Sequence, residues 1–116
     1  MKIVATRLKA ELEDDGSFYW FYVSIHLERT SADVPFENIA LVEYHLLHKS
    51  IPNPDVRVTN AASAFEHKLW LYGFIAVSAD IITKAGKLIK IPRTEITWDV
   101  TESETKLNGR SELSWS

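Results

Sequence analysis

The residues best suited to chemistry in this chain lie in two short runs. The first is Val42-Glu43-Tyr44-His45-Leu46-Leu47-His48-Lys49-Ser50-Ile51-Pro52-Asn53-Pro54. It sets the imidazole of His48 and the hydroxyl of Ser50 two positions apart, just ahead of two prolines. Proline has no N–H and a fixed φ, so this run must leave its strand as a rigid, extended exit. In an extended chain the side chains of residues 48 and 50 point the same way. The second run, Trp70-Leu71-Tyr72-Gly73-Phe74, is dense in rings with polar tips, a type enriched where proteins bind other molecules. Two readings stand side by side. His48 and Ser50 can orient a ligand, or they can satisfy backbone groups of their own loop. Trp70, Tyr72 and Phe74 can form a recognition surface, or cover one face of a strand.

Other chemistries find little support. His45, His48 and His67 share no fixed spacing with a carboxylate, and there is no His-Glu-x-x-His, so no metal site is expected. A Ser-His-Asp hydrolase would want a nucleophile elbow, Gly-x-Ser-x-Gly, which the chain lacks. Four glycines make no phosphate-binding loop, and Glu102 and Glu104 read as solvated charges. Zero cysteines exclude disulfides, thiolate zinc sites and a cysteine nucleophile. The expectation is a non-enzymatic chain with no cofactor.

The elements that must position these runs read mostly with period two. Between residues 18 and 27, Tyr19, Phe21, Val23, Ile25 and Leu27 make an apolar face, while Phe18, Trp20, Tyr22, Ser24 and His26 make a half-wet one. Ile96, Trp98 and Val100 alternate with polar residues and read as a second clear strand over 95–101. At the N-terminus, Val4, Leu8, Ala10 and Leu12 lie opposite Arg7, Lys9 and Glu11, and the turn cluster at 13–17 starts a hairpin. Residues 69–82 read as one buried strand, with Leu71, Ile75, Val77, Ala79 and Ile81 sharing a parity and Gly73 marking a bulge or a close approach. Lys84-Ala85-Gly86-Lys87 is a tight turn into Leu88-Ile89-Lys90-Ile91, a strand that Pro92 breaks or displaces at an edge. Residues 36–49 fit either period and are read as a strand because strands flank them. Asn60 looks like the N-cap of a short helix or loop leading to Phe65. Beyond Glu102 the chain turns polar, and a loose tail is expected, on which Leu113 and Trp115 could dock.

At 116 residues the chain makes one domain, divided here into a domain at 1–102 and a polar tail at 103–116. With 46% apolar and 25% charged residues it is neither disordered nor supercharged. Its net charge of −3 comes from mixed signs without a basic cluster, which argues against nucleic acid as partner. No apolar run reaches membrane-spanning length, and the first seven residues turn polar too soon for a secretory signal, so the expected location is cytoplasmic. Strands in succession with short turns predict an all-β, Ig-like β-sandwich of about seven to eight antiparallel strands.

The first run also resembles the YEATS domain family, and its small prokaryotic (pYEATS) branch most of all. The match falls on Leu47, His48, Ser50, Pro52, Asn53 and Pro54, with the spacing onward to Gly73-Phe74 and an upstream strand at Tyr19-Trp20-Phe21-Tyr22-Val23. The resemblance covers roughly residues 18–85. It implies an Ig-like sandwich and, as in eukaryotic members, recognition of acylated lysine between aromatic walls, with the motif serine bonding the amide. Carried over, the histidine role falls on His48 and the serine role on Ser50. The two wall positions are Ile51 and Leu71, both aliphatic here, and Trp70 sits where the loop's first glycine belongs. One extra residue between Tyr44 and His48 implies a bulge there. The expected ligand site is Phe18, His48, Ser50, Ile51, Trp70, Leu71, Tyr72, Gly73 and Phe74. The expected partner is a protein or peptide, acyl-lysine included. The alternative is a structural module that mates with a second copy through Trp20, Tyr22 and the 88–91 edge.

Overall fold

The computed structural model describes residues 1–108. Among these, seven strands form two antiparallel sheets packed face to face. Strands β1 (Lys2–Leu12), β2 (Tyr19–Glu28) and β5 (His67–Leu71) make the first sheet, in the order β1-β2-β5. Strands β3 (Ile39–Leu47), β4 (Asp55–Val58), β6 (Ala76–Thr83) and β7 (Leu88–Glu95) make the second, in the order β4-β3-β6-β7. This is the expected Ig-like sandwich. Its core takes the apolar face of β2 (Phe21, Val23, Ile25, Leu27) and packs it on Val42, Tyr44 and Leu46 of β3 and Val77, Ala79 and Ile81 of β6. No helix among the described residues is long and apolar enough to cross a membrane.

Several local readings change once strands have partners. The N-terminal strand does not bury its even positions throughout, because Leu8 is an extra residue between Arg7 (opposite Val23) and Lys9 (opposite Tyr22). The bulge switches the inward parity, so Ile3 and Ala5 face the core before it and Ala10 after it, while Leu8 at the bulge and Leu12 at the end of the strand are exposed. Residues 69–82 are two strands, not one. The chain leaves the first sheet after Leu71, passes Gly73 and joins the second at Ala76, so the shared parity reflects burial on both sides of a crossover. The bulge in β3 falls at Ala40, between Ile39 and Leu41, and Tyr44 to Leu47 pair regularly with β6. Strand β7 continues through Pro92, because it is an edge strand and Pro92-Arg93 stand as two residues against Ser78.

Residues 96–100 are not a strand. Ile96 donates one backbone bond to the Ile75 carbonyl at 3.0 Å, and Trp98 lies edge-on to Phe74 with ring centroids 4.7 Å apart. The alternation there records which side chains close one end of the sandwich, with no ladder behind it. The turn at 83–87 is as expected, with Gly86 at φ +87°.

The stretch expected as a loose tail begins instead with helix α1 (Glu102–Leu107). Thr101 accepts from the Glu104 N–H, and Glu104 accepts from the Thr101 N–H in return, a reciprocal cap that starts the helix. Arg7 ties α1 to the first sheet. Its guanidinium donates to both carboxylate oxygens of Glu104 at 2.7 Å and to the Asp99 carbonyl at 3.1 Å. Leu113 and Trp115 lie outside the described residues.

Glu104 is buried. Burial pushes its carboxyl upward, but the Arg7 guanidinium and the Thr101 N–H outweigh it and hold the group below its ordinary value of 4.5. A lowered folded pKa means the clamp stabilises the fold above pH 4.5 and is lost as pH falls through the folded value. Glu104→Gln should therefore cost about 2 kcal/mol near neutrality. In denaturant titrations, that difference from the wild type should shrink as the pH is brought well below 4.5.

Candidate functional site

Strands β4 and β5 are edges of their respective sheets. An open cleft of about 380 Å³ lies between them. Leu46 and Val56 reach it from the second sheet, while His67, Leu69 and Leu71 reach it from β5. Ser50, Ile51, Pro52 and Asn53 line it from the loop after β3, and Trp20 and Trp70 from the neighbouring aromatic surface. The lining is largely apolar, with a hydroxyl, a carboxamide and one imidazole. Burial pushes the His67 imidazole below its ordinary value, so it is neutral at neutral pH and can both donate and accept.

The loop is shaped by backbone bonds and by His48. The Leu46 N–H donates to the Pro54 carbonyl at 2.7 Å, the His48 N–H to Leu46 at 2.9 Å and the Ile51 N–H to His48 at 3.1 Å. The Ser50 N–H donates to His48 Nδ1 at 3.1 Å. That ring nitrogen is thus engaged by the backbone, in the manner of a loop cap. Half-buried His48 holds the turn that presents the exposed hydroxyl of Ser50 and the side chain of Ile51.

Trp70 is 39% exposed and is positioned from two sides. It stands opposite Tyr22 in the β2–β5 ladder, with ring centroids 4.8 Å apart, and Lys9 Nζ lies 5.2 Å from the Trp70 ring. A ring held this way has little side-chain freedom left. Trp20 is oriented by its indole N–H donating to Glu13 Oε2 at 2.5 Å. Phe18 and Tyr72 pack beside it, at 5.5 and 6.3 Å from its ring and 4.8 Å from each other. Asn108, just past α1, pins this aromatic group. It accepts from the Tyr19 N–H at 2.8 Å and donates to the Tyr72 carbonyl at 3.1 Å, while the Tyr72 hydroxyl donates back to the Asn108 carbonyl at 3.2 Å.

The residues singled out from sequence therefore separate into groups. Ser50, Ile51, Trp70 and Leu71 share the cleft, and Leu71 is buried in its floor. His48 supports the loop from behind. Phe18 and Tyr72 adjoin the cleft through Trp20. Gly73 is buried at the crossover, and Phe74 packs against Trp98 and the core. Sequence reading missed Leu46, Val56, His67 and Leu69. The alternation Asp55-Val56-Arg57-Val58 was the available signal for β4, but a four-residue strand after two prolines offers very little pattern.

Two packed antiparallel sheets, an open cleft between two sheet edges and a His-x-Ser-x-Pro-Asn-Pro loop at its rim agree with the resemblance to YEATS domains. A family model described as the prokaryotic YEATS domain matches residues 21–94. The chain belongs to that family. No curated protein matches it.

The capping role of His48 makes a testable demand. His48→Ala should speed hydrogen exchange of the Ser50 amide by about tenfold, the equivalent of one lost hydrogen bond, while the Ile51 amide keeps its bond to the residue-48 carbonyl. His48→Asn, whose side-chain oxygen can accept from the same N–H, should restore most of the protection.

Proposed function

We propose that this domain is a non-catalytic recognition module that receives an extended segment of a protein partner in the β4–β5 cleft. One apolar side chain or acylated lysine of that segment enters between Ile51 and the Leu69–Leu71 floor. The observation that carries this reading is the convergence of the motif's Ser50 and its neighbour Ile51 with Trp70 and Leu71 on a single open cleft. The edges of β4 and β5, unpaired among the described residues, offer main-chain groups to an extended peptide, and pockets between alternate side chains supply selectivity. Ser50, with Asn53 and neutral His67 nearby, provides hydrogen-bonding groups for an amide. Membership of the family fits a binding role, since its domains are generally readers and not catalysts.

Aliphatic walls change what the cleft selects. Ile51 and Leu71 grip an acyl chain by dispersion and by removing apolar area from water, with no preference for a flat group. Each added methylene is then worth about 0.8 kcal/mol, or roughly fourfold in affinity. Calorimetric titration with one peptide carrying plain, acetylated or butyrylated lysine tests this. The expected order is butyryl over acetyl over plain, weakened about tenfold or more by Trp70→Ala and by Ile51→Asp. Equal affinities for the three peptides would remove acyl-lysine as the ligand. Binding unaffected by both substitutions would remove the cleft.

A second copy of the chain is the competing partner, favoured by Ile82 and Leu88. These residues pair across the β6–β7 hairpin beside the edge strand and stand 39% and 51% exposed. Light scattering across a concentration series separates the two, since a mass that stays monomeric leaves no role for this face in self-association.

A further inference from the structure

The outer face of the second sheet carries a side-chain cluster remote in composition from the cleft. On β3, Glu43 and His45 point outward together, being two residues apart. Asp55 of β4 stands directly opposite His45, and Asp80 of β6 directly opposite Glu43. His45 Nδ1 is 2.7 Å from Asp55 Oδ1. On its other side, His45 Nε2 is 2.9 Å from Asp80 Oδ2 and 3.8 Å from Glu43 Oε1. The basic neighbours use the opposite oxygens: Arg57 Nε donates to Glu43 Oε2 at 2.8 Å, and Lys90 Nζ lies 3.6 Å from Asp80 Oδ1.

We propose that Glu43, His45 and Asp80 form a zinc-binding site on this face, with Asp55 fixing the imidazole from behind. One ligand atom from each of the three lies within 4.8 Å of the other two. Zinc bonds of about 2.0–2.2 Å place tetrahedral ligands roughly 3.3–3.6 Å apart, so small side-chain movements bring the three into range. The ligands come from two adjacent strands in fixed register, and all three residues are half-buried, which limits the entropy lost on closing around an ion. Zinc takes the place of the Nε2 proton, which leaves to solvent as the Zn–N bond forms. The fourth position stays open to water.

The surroundings suit this assignment better than a simple ion-pair ladder requires. A metal-bound imidazole commonly donates its other N–H to a carboxylate, and His45 Nδ1 faces Asp55 in that way. Arg57 and Lys90 hold the far oxygens of Glu43 and Asp80 and leave the near ones turned to Nε2. One imidazole with two carboxylates favours zinc over magnesium or calcium, which want more oxygen donors.

Titrating the metal-free full chain with zinc chloride, followed by calorimetry and by nitrogen chemical shifts of the four histidines, decides the matter. The expected result is one saturable site per chain, a large shift at His45 Nε2 and none at His26, His48 or His67. Asp80→Asn should weaken binding at least tenfold. Asp55→Asn, which spares every ligand, should weaken it about tenfold, and millimolar magnesium or calcium should not compete. Thermal melting of both variants without metal establishes that they are folded. Absence of saturable binding to the wild type overturns the proposal. So does a shift centred on another histidine, or an affinity unchanged in folded Asp80→Asn.

Discussion

One buried hydrogen bond fixes how the two sheets meet. The Tyr44 hydroxyl, in the centre of β3 and fully buried, donates to the Phe65 carbonyl at 2.8 Å. Phe65 belongs to the turn that delivers the chain into β5. That turn is costly, because Ala64 and Phe65 both adopt left-handed backbone conformations, at φ 56° and 58°. Side chains with a Cβ pay of order 1–3 kcal/mol each to sit there. Four bonds at Ala64 and Phe65 hold the turn against that cost: the Tyr44 hydroxyl on the Phe65 carbonyl, the Leu27 N–H on the Ala64 carbonyl, the Ala64 N–H on the Ala61 carbonyl and the Phe65 N–H on the Asn60 carbonyl. Burial drives the Tyr44 phenol well above its ordinary pKa, so it remains a donor at all relevant pH.

The cleft depends on that constraint. Strand β5 has five residues and, among the described residues, pairs only with β2, so its start decides which side chains face inward. With Phe65 fixed, His67, Leu69 and Leu71 line the interior opposite Leu46 and Val56, and Trp70 turns outward to meet Tyr22 and Lys9. A slip of one residue would send Trp70 into the core and expose Leu69 and Leu71. The opposite wall is set by Pro52 and Pro54, which prevent the loop from continuing β3, and by His48, which folds it back. Cleft and core are thus produced by the same few strands.

Much of this was legible in local pattern. The period-two faces of β2 and the succession of short strands announced a sandwich, and the motif from Leu47 to Pro54 named the family and one wall of the cleft. Less legible was anything that depends on what a strand pairs with. Ile96 and Trp98 alternate like a strand because one side is buried, although no ladder exists there. Residues 69–82 share a parity across a change of sheet. Glu102 to Leu107 looks solvated until Arg7, far away in sequence, supplies the charge that lets Glu104 be buried. His45 was grouped with His48 and His67 on composition, whereas the sheet puts it with Glu43, Asp55 and Asp80.

Sequence alone determined the class of fold, the end of β3 ahead of Pro52-Asn53-Pro54 and the aliphatic types of Ile51 and Leu71. All of these follow from side-chain type and from short-range backbone geometry. Tertiary structure decided which residues share a neighbourhood: Ser50 with Trp70, Arg7 with Glu104, and His45 with Asp55 and Asp80. The reason is that alternation reveals which face of a strand is covered, but carries no information about the strand that covers it or about its register. Pairing is settled by the closing of long loops around a common core.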